Sequence, residues 1–277
     1  MYRKFLISTA FVALATASMA ADLPATKGPA YFAAPVPLFT WTGFYVGLTG
    51  GGALTSSDVG LSAVNGPTPN YRTVPNEIAA INALGSVRLR NSNGIFGARA
   101  GYNQQFGSFV LGLEGDISSF RSNKSSTRTG NPFFPFAGNA VSPAFATFNT
   151  TVSTDWLATA RLRAGFAVDR ALFYATGGAA FGNVKFKNRE REFSNNGLGF
   201  GNESSAVSKT KTGWALGVGA EYAITSNVLL SAEYLHVDLG SVTASGRVTS
   251  NNTRTATLNF RTKVKSEIGR VGLSYKF

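Results

Sequence analysis

The chain has no cysteine and a single histidine, His236. Without cysteine it can hold no disulfide framework, no thiol nucleophile and no cysteine-ligated zinc, and one imidazole cannot build a metal site of several histidines. Charged residues make up only 14% of the chain, whereas a typical soluble domain has roughly 25%. These shortages exclude most classes of soluble enzyme, and we expect a protein without catalytic activity.

Long apolar runs are scarce as well. The apolar stretch from Phe5 to Ala17 is too short to cross a membrane as a helix. It follows the positive residues Arg3 and Lys4 and precedes small residues at positions 18–20, which predicts a signal peptide over residues 1–20. Because no later segment is long and apolar enough for a spanning helix, the exported chain is either a secreted soluble protein or an outer-membrane β-barrel.

The chain is rich in glycine, with 31 residues, and in phenylalanine, with 22. Eight segments alternate apolar and polar residues over at least the length that a tilted membrane strand needs. In the fourth, Trp156 and Leu162 share one face, whereas Arg161 and Arg163 lie on the other. Such alternation also fits a soluble sandwich, so it does not decide the class alone. The predicted strands are Trp41–Gly52, Gly94–Gln105, Phe109–Ser119, Ser153–Val168, Ala171–Val184, Lys211–Ile224, Asn227–Gly240 and Ser266–Phe277.

The connections between these segments favour the membrane barrel. They alternate strictly between long and short, which is typical of outer-membrane barrels with long outer loops and short periplasmic turns. All 10 prolines lie outside the predicted strands, as expected for a residue that cannot donate to a sheet ladder. The long connections are residues 53–93, 120–152, 185–210 and 241–265, and the short ones are 106–108, 169–170 and 225–226.

The alternation also places charged residues inside the predicted barrel. The interior of an eight-stranded barrel is only wide enough for side chains to fill, and buried charges of both signs must pair. We therefore predict a salt-bridged network that plugs the lumen, with a narrow ion path as the alternative. The predicted lumen network comprises Arg99, Glu114, Asp116, Arg161, Arg163, Glu221, Glu233 and Arg270.

Basic residues concentrate in the long connections. Although the sequence pI is about 10.1, export argues against nucleic acid as the partner. Lipopolysaccharide phosphates lie at the level of the outer loops, so contact with lipopolysaccharide is the first hypothesis. The predicted contact residues are Arg121, Lys124, Arg128, Arg247, Arg254, Arg261, Lys263 and Lys265.

Aromatic residues beside these cations suggest an alternative ligand, haem or another anion. His236, the only imidazole, lies near the outer end of the seventh predicted strand, on the same face as Asp238. A histidine beside a carboxylate can act as a general base, but no serine shares this face, so we interpret His236 as part of an aromatic girdle. The aromatic residues of the stretch Asn131–Phe148, in the second long connection, are Phe133, Phe134, Phe136, Phe145 and Phe148.

Several motifs resemble one family. The C-terminal residues Val271, Leu273, Tyr275 and Phe277 alternate toward a final phenylalanine, which resembles the signature by which outer-membrane barrels are recognised for assembly. This ending and the motifs given below make the chain similar to the small outer-membrane β-barrel proteins of alphaproteobacteria. That family includes Brucella major surface antigens and Bartonella hemin-binding proteins and is related to OmpA-type barrels. The resemblance implies fold and location rather than an activity. The other motifs are Ala21–Pro24 (ADLP), Trp41–Gly47 (WTGFYVG), Tyr174–Gly178 (YATGG) and Glu233–Leu235 (EYL).

We therefore expect an all-β fold: an eight-stranded antiparallel up-and-down transmembrane β-barrel over residues 41–277, with four long outer loops and short periplasmic turns. It follows the signal peptide 1–20 and a proline- and alanine-rich periplasmic leader over 21–40. The expected role is structural, in envelope integrity and lipopolysaccharide contact. Haem or other anionic-ligand binding and a narrow ion channel are the alternatives. The expected partners are outer-membrane lipid, lipopolysaccharide and the barrel assembly machinery, without a required cofactor, and both termini are expected in the periplasm.

Overall fold

The computed structural model describes residues 39–67, 69, 75–131, 145–193, 202–250 and 254–277. The predicted signal peptide and most of the predicted leader lie outside these residues. No helix in the described ranges is long and apolar enough to cross a membrane. The described residues form strands β1 (Gly43–Asn65), β2 (Val87–Phe106), β3 (Phe109–Gly130), β4 (Phe145–Val168), β5 (Ala171–Phe193), β6 (Asn202–Ala223), β7 (Val228–Ser250) and β8 (Arg254–Lys276), and helix α1 (Pro75–Gly85).

The eight strands form a closed barrel in which each strand pairs with its neighbours in the chain. All pairings are antiparallel, and β1 closes the ring by pairing with β8 from Tyr45–Lys276 to Asn65–Ala256. Short turns join β2 to β3, β4 to β5 and β6 to β7, and Gly107 supplies the left-handed backbone of the first, with φ of 60°. The predicted up-and-down barrel is confirmed.

The strands are much longer than the sequence suggested, so the predicted extent of the outer loops was wrong. They contain 20 to 24 residues, about twice the 9–11 residues that cross a membrane. Most of the second, third and fourth predicted long loops, and about half of the first, continue the strands at their two ends. These outer segments escaped detection because their exposed positions carry Ser, Thr and Asn, residues that are also typical of loops.

Among the described residues, large apolar side chains form a continuous cover on the outside of the barrel at the end with the short turns, whereas toward the other end Val64 and Phe145 are isolated exposed examples. The cover includes Leu48, Phe96 and Leu162, whose exposed fractions are 71%, 69% and 67%. This belt matches the lipid-facing surface of a membrane barrel. We call this part the membrane half, which comprises residues 43–54, 94–106, 109–119, 156–168, 171–182, 213–223, 228–236 and 267–276. The remaining strand residues form the outer half.

The inside of the outer half is a hydrophobic core. Phe120, Phe148, Phe186 and Phe260 are each at most 1% exposed, and the rings of Phe186 and Phe260 lie 5.2 Å apart. Their strand neighbours that point outward are polar or charged. The outer half therefore has the polarity of a soluble barrel.

Helix α1 completes the wall where β2 is too short. β2 begins at Val87, which pairs with Val59, so β1 has no β2 partner beyond Val59. On this free edge of β1, Asn82 Oδ1 accepts the N–H of Ala63 at 2.7 Å and Ser86 Oγ accepts the N–H of Leu61 at 3.0 Å. The helix thereby covers strand edges and buries Ile81 in the core.

The end with the short turns is closed by Trp41. This side chain is fully buried and packs with Val110, Leu172 and Leu229, and its ring meets Phe39 edge-on at 5.0 Å. Its backbone N–H donates to Gln105 Oε1 at 2.7 Å. The lumen of the membrane half is thus bounded by Trp41 on one side and by the core of the outer half on the other.

Candidate functional site: a charge-filled lumen and a basic outer wall

The structure brings all eight residues of the predicted lumen network together inside the membrane half. They come from six strands, and alternation along each strand turns their side chains inward. Each of these side chains is at most 3% exposed.

Arg161 lies at the centre of the first part of the network. Its guanidinium contacts Glu114 Oε1 at 2.5 Å, Asp116 Oδ2 at 2.9 Å and Glu233 Oε1 at 2.8 Å. Arg270 joins the same acids from β8, at 3.0 Å to Asp116 Oδ1 and 2.6 Å to Glu233 Oε2. Three carboxylates therefore share two arginines, which satisfies most of their hydrogen-bonding capacity.

The second part of the network lies around Glu221. Arg99 approaches Glu221 Oε1 at 3.0 Å and Arg163 approaches Oε2 at 2.8 Å. Glu114 links this part to the first, because its Oε2 lies 3.5 Å from Arg99 Nη1. Such a mesh of paired charges fills the cross-section of the membrane half.

Two tyrosines complete the network and were not predicted. The hydroxyl of Tyr45 donates to Glu114 Oε2 at 2.8 Å and accepts from Arg163 Nη1 at 3.1 Å. The guanidinium of Arg163 lies over the ring of Tyr174, with 3.8 Å from the guanidinium carbon to the ring centre. Both residues have the inward parity of their strands, so the same alternation that identified the charges could have identified them.

A smaller polar group lies inside the outer half. Asn188 Nδ2 donates to Glu203 Oε2 at 3.0 Å, and Thr150 Oγ1 donates to Asn188 Oδ1 at 3.0 Å. Burial raises the pKa of Glu203, although the hydrogen bond from Asn188 acts in the opposite direction. This group was missed because the sequence placed it in a loop.

The predicted anionic-contact residues lie on strands rather than on loops. Arg121, Arg247, Arg261 and Lys263 are exposed on the outside of the outer half, and Lys265 is half-buried there. They belong to the strand wall of the outer half and not to loops beyond it. Arg254 begins β8, and its side chain lies outside what the structure describes.

Lys124 and Arg128 are exposed as well, although they lie on the side of β3 that carries the buried Phe120. Each pairs with a buried inward residue of β4, Val152 and Phe148 respectively. Arg128 Nη1 donates to the carbonyl oxygen of Ser86 at 2.5 Å, just beyond the C-terminus of α1. A cation near a helix C-terminus is favourable, so Arg128 helps to hold α1, and its contact with an external anionic ligand stays a prediction.

Further basic residues on the outer wall were not singled out from the sequence. Arg88 and Arg90 lie on the outward face of β2, and Lys187 and Arg189 lie on the outward face of β5. All four side chains are exposed. Their alternate spacing was the available signal, but it is visible only once these segments are read as strands.

His236 lies on the outside at the upper edge of the apolar belt. Its Nδ1 is 2.7 Å from Glu267 Oε1, and its ring lies 5.1 Å from that of Trp214. Tyr234 donates to the same carboxylate, at 2.5 Å from Oε2. The histidine is thus one member of an interfacial aromatic group.

The predicted aromatic cluster of the second connection is only partly described. Phe133, Phe134 and Phe136 lie outside the described residues. Phe148 belongs to the core of the outer half, whereas Phe145 is 43% exposed.

The predicted assembly residues all face lipid. Val271, Leu273, Tyr275 and Phe277 have exposed fractions of 61%, 54%, 51% and 70%. The aromatic ring of Tyr275 meets that of Phe277 at 5.2 Å. A role in assembly stays a prediction.

A closed antiparallel barrel with an apolar belt and a charged lumen defines the class of membrane-spanning β-barrels. The chain matches the family model described as outer membrane protein beta-barrel domain over residues 8–277, and it belongs to this family. Among its relatives is the 31 kDa outer-membrane immunogenic protein of Brucella melitensis biotype 1, with 34% identity over 271 residues and 95% of each chain covered. The 25 kDa outer-membrane immunogenic protein of the same organism is 26% identical over 275 residues, covering 98% of this chain and 96% of its own. The resemblance that the sequence motifs indicated is confirmed.

Solved structures with a similar fold include Ail, the attachment invasion locus protein of Yersinia pestis. It is 13% identical, with 84% of this chain and 99% of Ail covered and a TM-score of 0.31. The outer membrane protease OmpT of Escherichia coli is 10% identical, with 88% and 99% covered and a TM-score of 0.40.

Proposed function

We propose that this protein is a non-conducting surface barrel that contributes to envelope integrity and binds lipopolysaccharide on its outer wall. The observation that carries the proposal is the filled lumen, in which every side chain of the eight-residue network is at most 3% exposed. Ions entering the barrel would meet paired charges instead of a water column. We therefore assign the role of the protein to its outer surface.

The two ends of the lumen support this proposal. On the side of the short turns, which we assign to the periplasm, Trp41 is fully buried. On the opposite side, Phe186 and Phe260 fill the outer half with apolar side chains. A hydrated path would have to cross both regions, and dry apolar constrictions oppose water and ions.

The outer wall supports the lipopolysaccharide part of the proposal. Arg88, Arg90, Arg261 and Lys263 lie just above the apolar belt, at the level of the anionic head groups of the outer leaflet. Arginine and lysine form charge-assisted hydrogen bonds with phosphates. A barrel with such a wall would be held in the leaflet by lipid tails below and phosphates above.

Ion conductance in a planar bilayer tests the closed lumen. We expect no current steps from the purified full chain, with insertion verified independently by protease protection of the membrane half. The variant Glu114→Ala opens a gap in the network, whereas Leu113→Ala, one residue away on the lipid face, serves as the control. Reproducible wild-type steps that Glu114→Ala alters and Leu113→Ala does not would identify a small channel instead.

A binding titration with labelled lipopolysaccharide tests the second part. We expect the full chain in detergent micelles to prefer lipopolysaccharide over phosphatidylglycerol, with an affinity that falls as salt rises, because exposed charges are screened. Equal affinity for both lipids would remove lipopolysaccharide from the proposal. A parallel hemin titration addresses the alternative ligand, for which a saturable Soret shift would be required.

A further inference from the structure

Three glycines lie side by side on the outside of the membrane half. Gly94 of β2 pairs with Gly52 of β1, which pairs with Gly269 of β8. Glycine inside a strand weakens the strand and often marks a place where a ligand or another backbone comes close. Three in register across neighbouring strands therefore call for a physical reason.

Neither backbone conformation nor packing requires glycine at these positions. All three have ordinary strand φ values, unlike Gly107 and Gly240. A Cβ atom would lie 3.9 Å from its nearest neighbour at Gly94 and 4.0 Å at Gly52, and it would meet nothing within 4 Å at Gly269. The missing side chains thus leave space on the outside of the barrel rather than inside it.

The neighbouring lumen glycine provides the contrast. At Gly51 a Cβ atom would come within 2.1 Å of the backbone oxygen of Gly269, so packing inside the barrel demands glycine there. The outward row has no such constraint, and its purpose has to be sought in what lies against the outer surface.

The glycine row is the floor of an open groove of about 680 Å³, bordered by Leu54 and Tyr234. Below it Gly50 lies between Phe96 and Val271, its partners in register on β2 and β8. Further along β1, toward the short turns, lies a second groove of about 760 Å³, which is lined by Leu48 and Ala98 among others. Together they form an apolar track down the lipid face that suits an extended hydrocarbon chain.

Cations lie directly above this track. Ser56 lies four residues along β1 from Gly52, toward the outer half. It pairs with Arg90 of β2 on one side and with Lys265 of β8 on the other. Four residues of strand separate them from the glycine row, which is about 13 Å along the strand. An amphiphile with tails in the track would place its head group at these two residues.

The acidic residues nearby leave this rim positive. Asp238 Oδ2 lies 3.6 Å from Lys265 Nζ and 3.5 Å from Lys263 Nζ, so one carboxylate pairs with two lysines. Glu267, at the side of the groove, is held by Tyr234 and His236 on β7. Asp58 pairs with Arg88. Arg90 has no acidic partner among the described residues and remains available to an anion.

We propose that the glycine row, the track below it and the basic rim form one binding site, which we call the groove site, for the lipid A part of a lipopolysaccharide molecule. An acyl chain lies over Gly52, Gly94 and Gly269, and a sugar phosphate contacts Arg90 and Lys265. A glycolipid with several acyl chains and sugar phosphates matches this combination of apolar track and paired cations. The inference rests on the proposed function, which gives the lipid class and the orientation of the barrel.

Charge reversal tests the rim in the full chain purified in detergent. For Arg90→Glu with Lys265→Glu we expect the affinity for labelled lipopolysaccharide to fall about tenfold, as for the loss of a hydrogen bond to a charged group. The matched control is Lys187→Glu with Arg189→Glu on the opposite side of the barrel, which carries the same change of charge. We expect this control to lose about threefold or less, because only long-range attraction changes.

Filling the groove tests the track. Gly52→Leu should fold, since its Cβ meets no close neighbour, and heat-modifiable migration in SDS verifies the barrel. We expect Gly52→Leu to weaken lipopolysaccharide about tenfold and to leave the binding of deacylated lipopolysaccharide unchanged. Ala175→Leu, which faces outward on β5, is the control for added bulk and should alter neither ligand.

The outcomes separate the groove site from the proposed function. If the wild type prefers lipopolysaccharide but the groove and rim variants behave like the β5 controls, the groove site is wrong and the proposed function stands. If the wild type binds lipopolysaccharide no better than phosphatidylglycerol, the proposed function itself fails. If Gly52→Leu changes only the native mass of the complex, the row is a contact between two copies of the chain, which overturns the lipid site.

Discussion

The membrane half and the outer half of this barrel use the same strands with opposite polarity. In the membrane half Leu162 is 67% exposed, and the neighbouring Arg161 is buried in the lumen. In the outer half Phe260 is fully buried inside, and the neighbouring Arg261 is exposed. The comparison teaches that the surrounding solvent decides which face of a strand is apolar, because lipid accepts apolar groups outside whereas water drives them inside.

The strands change polarity in two ways. In β4 the register with β5 shifts between Ser153 and Leu157, and the inward positions change from even to odd numbers at this irregularity. In β5 the parity is continuous, and composition alone reverses the pattern, from Phe173 outside and Thr176 inside to Lys187 outside and Phe186 inside. A bulge is therefore sufficient but not necessary for the reversal.

Removing the central arginine should give the largest effect and would test the charged side of the comparison. Arg161→Met leaves Glu114, Asp116 and Glu233 close together with one arginine fewer. We expect a loss of about 4 kcal/mol in the free energy of unfolding, or failure to fold, because the buried network would be left with one uncompensated negative charge. Denaturant unfolding of the barrel in phospholipid bilayers, followed by tryptophan fluorescence, measures this loss.

The control for Arg161→Met is Leu162→Ala, the neighbouring residue on the lipid face. It removes apolar contact with lipid only, so we expect a loss of about 1–2 kcal/mol. If both variants unfold alike, the lumen network does not stabilise the membrane half more than the lipid-facing surface does.

The sequence predicted the membrane half far better than the outer half. In the membrane half, large apolar residues such as Trp214, Leu216 and Val218 alternate with small or charged residues. This alternation distinguishes the outward face of the strand from its inward face. All eight lumen charges followed from this alternation. Which arginine meets which acid could not be predicted, because that depends on the closure and register of the barrel.

The outer half was missed for a physical reason. Its exposed face carries residues such as Thr151, Ser153 and Asn149, which are as common in loops as on a water-facing sheet. Its inward face alternates weakly, since Thr150 and Asn188 interrupt the apolar positions. The basic wall was hidden for the same reason. The glycine groove was hidden for a different one, because Gly52, Gly94 and Gly269 line up only once the register of β1 with β2 and β8 is known.

Truncating a core phenylalanine of the outer half should give the next effect in size and would test the apolar side of the comparison. Phe260→Ala leaves a cavity beside Phe186, and we expect a loss of about 3 kcal/mol that is confined to the outer half. Hydrogen exchange should speed up in the outer segments while the membrane half keeps its resistance to SDS. Thr257→Ala, outward-facing on the same strand, is the control and should change little. Equal loss of SDS resistance would mean that the two halves unfold as one unit.

The smallest expected effect concerns the polar group around Glu203 in the hydrophobic core of the outer half. It tests whether a charge inside this half lowers the stability of the barrel. Burial raises the pKa of Glu203 above its ordinary value of 4.5. The folded state therefore binds this proton more tightly than the unfolded state, so the stability contributed by Glu203 is complete below the unfolded pKa and is lost as the pH rises through the folded pKa. We expect Glu203→Gln to stabilise the outer half at pH 8 by about 1 kcal/mol or less, with no gain near pH 4.

Asp155 on the outside of β4 gives the matched case with the opposite sign. Its Oδ2 lies 2.6 Å from Lys185 Nζ, and hydrogen bonds from Lys185 and Asn183 lower its pKa. Its contribution to stability is therefore present above the unfolded pKa and is lost as the pH falls through the folded one. Asp155→Asn should destabilise the outer half slightly at pH 8 and not in acid, measured by hydrogen exchange across the same pH series. If both variants shift stability in the same direction at pH 8, burial does not distinguish the inside from the outside of this half, and the comparison of polarity fails for charged groups.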